Sequence, residues 1–425
     1  MNRLSMSRRS LLRVAGSGLL LPSALTGWSP IRKAYAQEQV RYNGTFWLTI
    51  HASGGWDPTM LCDPKGRANE TEVAPVNTYF TDEITEVGNF LVPPVEGMVD
   101  FFTEFQNDLL VINGIDVGTN GHEQGTRATW SGHTDANRPA FSALVAAAET
   151  LPPSLAFISN GGYDITAGMI PVTRLPSTGT IHELAYPDRI NPDNPESEFL
   201  PASMMEKIQL ARQERMGRLQ SEVHLPKTLN AMQVLEMVRS DNSELKSLVE
   251  VLPTELNEDD LLSQIQVAMA CFAAGVSISA NVSIGGFDTH NNHDNNQTPR
   301  LQRVVEAMAF ARQEAERLGI ADQFNLIVGS DFARTPYYND GNGKDHWSIG
   351  SMMFMGADIA GGRVIGGTDN DQLPLAVNPT TLELDGDGVF LTPGHVHAAL
   401  RKIANIDNHP LVTGFEVDEW LPLFE

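Results

Sequence analysis

Three stretches of this chain share one pattern: an apolar run long enough for a single strand, stopping at or just before a carboxylate or an imidazole. GTFWLTIH (44–51) leads into ASGGWDP and Asp57, SISANVSI (277–284) leads into GGFDTHNNH with Asp288 and His290, and FNLIVGS (324–330) stops at Asp331. Between the last two lies RLQRVVEAMAFARQEAERLG (300–319), whose apolar residues recur at helical spacing. Strands that are almost wholly apolar, separated by amphipathic helices, are buried on both faces. The chain therefore reads as α/β, a mostly parallel sheet with helices on both faces. Ligands of such sheets gather beyond the carboxyl ends of the strands, where Asp57, Asp288 and Asp331 all fall. That placement sets the Asp-Thr-His-Asn-Asn-His run apart from an ordinary polar surface loop.

The other expected elements fit this frame. A helix is expected over 95–107, a buried strand over 107–115, a polar loop carrying HEQGTRATWSGH, a helix over 137–149 and a strand over 154–159. Residues 160–200, rich in Gly, Pro, Asp and Asn, read as irregular. Two amphipathic helices follow within 203–250 and a more apolar one over 258–275. SMMFMG (351–356) reads as a core strand and 394–404 as a terminal helix. Doubly wound sheets with insertions reach 425 residues. Residues 37–425 are thus read as one domain with an irregular and helical insertion around 160–258.

Residues 1–36 read as a twin-arginine signal peptide: Arg8 and Arg9 precede a short, glycine-broken apolar stretch, and Ala34-Tyr35-Ala36 supplies a small-x-small cleavage site. This segment holds six basic and no acidic residues, so cleavage leaves 23 basic against 53 acidic residues. The expectation is export to the periplasm or beyond by the twin-arginine machinery, and the apolar stretch is too short for a stable membrane span. The formal charge of −24 argues against nucleic acid as a partner. Cys62 and Cys271 are the only thiols; they suit one disulfide or two buried thiols, and Cys271 lies in an apolar helix that favours the second.

The polar groups at the strand ends define the candidate chemistry. Carboxylates and imidazoles without thiolates suit zinc, manganese, iron or calcium, with zinc or manganese favoured. Candidates are Asp57, His122, Asp288, His290, Asp331, Arg334, Asp345 and His346. Asp331 suits either a metal ligand or a turn cap, and Arg334 either an anion clamp or a structural ion pair. Asp345 reads as a partner orienting His346. His293 and Asp294 read as solvated loop residues, and His51, His395 and His397 as structural.

Taken together, GGWDP, HEQGTRATWSG, GGFDTHNNH, GSDFARTPYYNDGNGKDHW and MGADIAGGRVIGG closely resemble the domain-of-unknown-function-1501 family, across most of residues 37–425. That family in turn resembles a branch of the alkaline-phosphatase-like superfamily, with its sulfatases and cofactor-independent phosphoglycerate mutases. The resemblance implies an alkaline-phosphatase-like fold and a metal set of Asp57, Asp288, His290, Asp331 and His346, with His122 and Arg334 as catalytic residues. Asp57 would be the early aspartate, Asp288 and His290 the aspartate and nearby histidine, and His346 the late histidine.

Two positions depart from the superfamily pattern. Asp331 is followed by Phe332 where the pattern has histidine. His122 stands near the nucleophile position, with Thr119 and Thr126 as neighbouring hydroxyls. The implied function is a metal-dependent hydrolase acting on a small phosphate or sulfate ester. The alternative is a non-catalytic metal- or anion-binding protein that keeps the fold without the nucleophile.

Overall fold

The computed structural model describes residues 41–425 except Ser154, Pro176, Ser177, Pro187, 223–227 and 229–243. The signal peptide expected over 1–36 lies outside the described residues, as does part of the helical stretch expected within 203–250.

Seven strands form the central sheet: β1 (Phe46–Ala52), β4 (Leu109–Asp116), β5 (Phe157–Asn160), β6 (Ser279–Ile284), β7 (Phe324–Ser330), β10 (Ile349–Gly356) and β11 (Arg363–Gly366), in the order β11-β4-β10-β7-β1-β6-β5. β1 pairs in parallel with β6 and β7, β5 with β6, and β11 with β4. Only β10 runs antiparallel, to both β4 and β7. Its amino-terminal end therefore lies at the edge where the other six strands have their carboxyl ends. Two short hairpins lie apart, β2 (Thr85–Val87) with β3 (Phe90–Val92), and β8 (Ala333–Arg334) with β9 (His346–Trp347).

Helices cover both faces. Successive residues of β1 point to opposite sides, as a pleated strand requires. Phe46, Leu48, Ile50 and Ala52 enter a core with α1 (Met98–Phe105), α7 (Asp260–Ala273) and α8 (His293–Arg317). Trp47 enters a second core with α3 (Phe141–Ala148) and α9 (Pro393–Ile403), its ring 5.1 Å from that of Phe141, edge to face. The insertion contributes α4 (Thr178–Ala185), α5 (Ala202–Glu222) and α6 (Glu244–Val251).

Local chemistry accounts for several helix ends. The Asp259 carboxylate accepts the backbone N–H groups of Leu261 and Leu262 and starts α7. Thr392 caps α9 with Pro393 in its first turn. His395 completes that cap and His397 is buried, its ring bonded to the Thr129 carbonyl at 2.8 Å. Both are structural, as expected. Burial brings the His397 imidazole down to about 3. Cys62 and Cys271 are both free and buried, which settles the open disulfide question.

Two expectations need correction. The polar stretch after β4 is not a loop but α2 (His122–Ser131). Its low hydrophobicity hid it, and its buried face is made of Gly125, Ala128, Thr129 and Ser131 beside Trp130. A Cβ on Gly125 would come within 2.3 Å of the Asp331 carbonyl oxygen, so glycine permits the helix to lie against the β7 loop. α8 begins at His293, seven residues earlier than the expected start at Arg300, and carries Pro299 inside it.

Candidate metal centre

Parallel strands and the one reversed strand together deliver the site. β1, β6 and β7 bring Asp57, Asp288 with His290, and Asp331 to one sheet edge. The loop after β4 brings His122 at the first position of α2, and the reversed strand β10 is entered from His346. Close approach of the β1 and β6 loops depends on Gly54, at φ +120°, where a Cβ would lie 2.5 Å from the Asp288 amide nitrogen.

Four side chains converge. His290 Nε2 lies 2.9 Å from His346 Nε2 and 3.0 Å from Asp288 Oδ1. His346 Nε2 is 3.1 Å from the same Asp288 oxygen, and His122 Nε2 is 3.6 Å from Asp288 Oδ2. Ligand atoms of His122, Asp288 and His346 all lie within 4.8 Å of one another. The side chains of His122, His290 and Asp288 are 41%, 40% and 48% exposed, so the cluster is open to solvent.

The other ring nitrogen of each histidine shows which way it is protonated. His346 Nδ1 is 2.7 Å from the Asn120 carbonyl oxygen, which only accepts, so Nδ1 carries the hydrogen. His290 Nδ1 faces the Asp345 carboxylate at 2.6 Å, and His122 Nδ1 faces that of Asp331 at 2.6 Å. With the Nδ1 protons assigned from these partners, a ring carrying no second proton would turn a bare Nε2 lone pair toward the one carboxylate at each of the three positions. Such an arrangement of acceptors repels itself unless a cation or an added proton lies between them.

The surrounding charges point the same way. Burial would raise the Asp288 carboxyl, but the Arg334 guanidinium bonded to it outweighs that and the group comes down to about 2. Burial would likewise raise Asp331, yet His51 and His122 hold it below the usual carboxylate range. His290 does the same for Asp345. Three carboxylates against the single Arg334 guanidinium leave two negative charges to match. The donor set fits a divalent transition metal. Two ligands on a tetrahedral zinc stand about 3.4 Å apart at bonds of ~2.1 Å, and the observed separations bracket that value. Ligating imidazoles held at Nδ1 by a carboxylate or carbonyl are the usual supporting arrangement.

Behind His122 the polar chain continues inward. Asp331 Oδ2 also accepts the Gly54 N–H at 3.2 Å, while Oδ1 lies 3.1 Å from His51 Nε2. Trp130 Nε1 donates to His51 Nδ1 at 2.9 Å. Phe332, fully buried, packs its ring 4.5 Å from His346 and 4.9 Å from His122. An apolar ring thus follows Asp331 and walls the inner side of the two imidazoles.

Not every expected residue joins the cluster. Asp57 is fully buried in a separate network, its Oδ2 accepting from Lys344 Nζ at 2.6 Å and lying 2.9 Å from His293 Nε2. Oδ1 accepts the Thr59 N–H and hydroxyl, and Lys344 also donates to Asn77. Burial would raise the Asp57 carboxyl, but Lys344 and His293 hold it well below the usual range. An ammonium therefore occupies the place a metal would take beside this aspartate. Asp331 sits behind His122 rather than among the convergent atoms. Arg334 is fully buried; it donates to the carbonyls of Gly54, Gly55 and Lys344 and to Asp288, so it pins Asp288 instead of facing an anion. Asp345 orients His290, not His346.

His293, expected in solvent, is 0% exposed and bonded at Nδ1 to Thr289, and Asp294 accepts from Thr78 and Tyr338. Lys344 gave no sequence signal of its own. His293 did: 293, 297, 301, 304 and 308 continue one helical stripe, and Gln297 is buried beside it.

The fold and the site define an α/β protein that carries a solvent-open cluster of three imidazoles and a carboxylate at the carboxyl edge of a mostly parallel sheet. Residues 47–384 match the family described as "Protein of unknown function (DUF1501)", and the chain belongs to that family. No curated protein matches it. Similar solved structures include the PsFucS1 sulfatase from Pseudoalteromonas sp., at 9% identity, covering 94% of this chain and 75% of that one, with a TM-score of 0.35. A 2-O GAG sulfatase matches at 9% identity over 88% and 76%, TM-score 0.33. A TAB5 alkaline phosphatase mutant with Mg bound in its M3 site matches at 8% identity over 86% and 99%, TM-score 0.34.

Proposed function

We propose that the protein is an exported metal-dependent hydrolase of phosphate or sulfate esters that holds one divalent ion, zinc or manganese, between His122, Asp288, His290 and His346. The observation that carries this reading is the convergence of three Nε2 atoms on the Asp288 carboxylate. The ester chemistry follows from the resemblance of the strand-end motifs to the alkaline-phosphatase-like superfamily. When bound, such an ion polarises an ester oxygen and makes a water nucleophilic near neutral pH.

The protein's own residues do the rest. Asp331 and Asp345 hold His122 and His290 in their tautomers, Arg334 fixes Asp288, and Phe332 keeps water from the inner side of the cluster. A second ion has little support, because Lys344 neutralises Asp57 and Phe332 replaces an imidazole. The nucleophile in this reading is water from solvent, with His122 a ligand. Among the described residues, no serine, threonine or cysteine side chain hydrogen-bonds to the four convergent groups.

That same observation favours the second reading, a metal-binding protein without turnover. Elemental analysis of protein from the exported fraction, with an aryl phosphate and aryl sulfate screen, tests both. Stoichiometric metal with turnover lost in His290→Ala supports the hydrolase; metal without turnover supports the binder; no metal removes both. No described helix is long and apolar enough to cross a membrane. Export rests on the paired arginines, and changing Arg8 and Arg9 to Lys should leave uncleaved precursor in the cytoplasm. Normal secretion of that variant would refute it.

A further inference from the structure

Beside the centre, a cleft of about 300 Å³ opens between the β6 loop and the first turns of α8, lined by Gly286, Asp288, Asn295, Asn296, Arg300 and Arg303 among others. It shares the Asp288 wall with the metal cluster. Its polar lining suits a polar ligand, and its size a small group. Two arginines face it in different states. Arg303 is paired with Asp259. Arg300 makes no hydrogen bond or ion pair with any described residue, so its donors remain available.

Its guanidinium lies against the backbone of Gly286, at φ +99°, where a Cβ would come within 2.8 Å of Arg300 Nε. Glycine in the GGFDTH run thus makes room for the arginine. Asn295 and Asn296 belong to the first turn of α8, the positive end of the helix dipole, although Asp294 lies in the same turn and the Asn296 N–H is taken by the Asn292 carbonyl.

We infer that this cleft is a second anion subsite, and that Arg300 binds in it a carboxylate, sulfate or phosphate carried on the alcohol part of the ester. Resting on the hydrolase reading above, this narrows the substrate class to esters with at least two anionic groups, one at the metal cluster and one in the cleft. Arg334 cannot serve that purpose because its donors are committed to backbone carbonyls and Asp288. Arg300 is the guanidinium the site leaves open.

The test compares two probes with the same carbon chain, propylphosphonate and 3-phosphonopropionate, by calorimetric titration of the zinc-loaded protein. Charge-assisted hydrogen bonds to a guanidinium should favour the carboxylated probe by about 10-fold or more. Arg300→Ala should erase that preference while leaving zinc content and propylphosphonate affinity as in the wild type; Arg300→Lys should keep part of it. Equal affinity of wild type for the two probes, or a preference that survives in Arg300→Ala, overturns the subsite while leaving the metal centre untouched. A protein that takes up no zinc yet loses the preference in Arg300→Ala would keep the subsite and remove the metal reading.

Discussion

The open histidine cluster and the closed network around Asp57 are built from the same loops, yet they resolve their charges in opposite ways. In the closed network a carboxylate, an ammonium and an imidazole are all 0% exposed. Lys344 cancels Asp57, and both Asp57 oxygens and both His293 nitrogens have partners. In the open cluster three imidazoles crowd one carboxylate, and among the described lysines and arginines Arg334 alone is bonded to it. A buried polar group with all its partners rigidifies a fold. Polar groups crowded together at a solvent-open sheet edge have no such internal partner, and that is the place the proposed cation would fill. The residue types alone, aspartate and histidine in both, do not separate the two roles; the donors around them do.

The sharpest way to break this contrast is Lys344→Met. It removes the ammonium and leaves Asp57 buried and unpaired, which should destabilise the protein by about 3–5 kcal/mol in denaturant unfolding. A loss below about 1 kcal/mol would mean that water reaches the network and that it is not closed. Next comes His290→Ala, which should weaken zinc binding at least ~100-fold by chelator competition. Unfolding of the metal-free variant should stay within about 0.5 kcal/mol of the wild type, as for an exposed position. If the metal-free variant instead unfolds as readily as Lys344→Met, the cluster is structural and the contrast fails.

Asp345→Asn keeps the shape but weakens the hold on His290 Nδ1, and should reduce zinc affinity by ~10–100-fold. Unchanged affinity would show that Asp345 does not set that ring. The smallest effect is on pH dependence. Burial foremost lowers the His293 pKa in the folded protein, whereas the unfolded chain takes up a proton near the ordinary value of about 6.5. Stability from this group is therefore complete above that pH and declines as pH falls below it, by at most about 1.4 kcal/mol per pH unit. His293→Gln, which removes the titration, should make the decline between pH 7 and 5 shallower in the metal-free protein. Identical slopes would place the decline on other groups.

Much of the sheet could be read from the sequence because its strands are buried on both faces and so appear as unbroken apolar runs; FNLIVGS coincides with β7 residue for residue. Asp288, His290 and His346 were also visible as candidates, since strand ends gather ligands. What escaped was decided by tertiary partners. α2 has a small, polar buried face, so no apolar stripe marked it. The start of α8 was hidden because His293 and Gln297 carry its buried stripe in place of apolar residues. Lys344 lies in a run of glycine and charge with no periodicity, and only the fold shows that its ammonium reaches Asp57. Arg334 suits either an anion clamp or a structural ion pair in the sequence, because nothing local reveals the carbonyls that surround it and commit it to the second.

The order in which the central strands pair has a consequence for when the centre can form. β1 bonds to residues 279–284 on one side and 324–330 on the other, and β10 closes between β7 and β4 only once residue 356 is available. Pairings this distant along the chain impose a large loop-closure cost and slow folding. His122, Asp288 and His346 are brought together by those same pairings, so the cluster is absent until β10 has been made and paired. Under the proposed reading, metal capture would follow closure of the sheet, and a chain halted before His346 would lack one of the four proposed ligands.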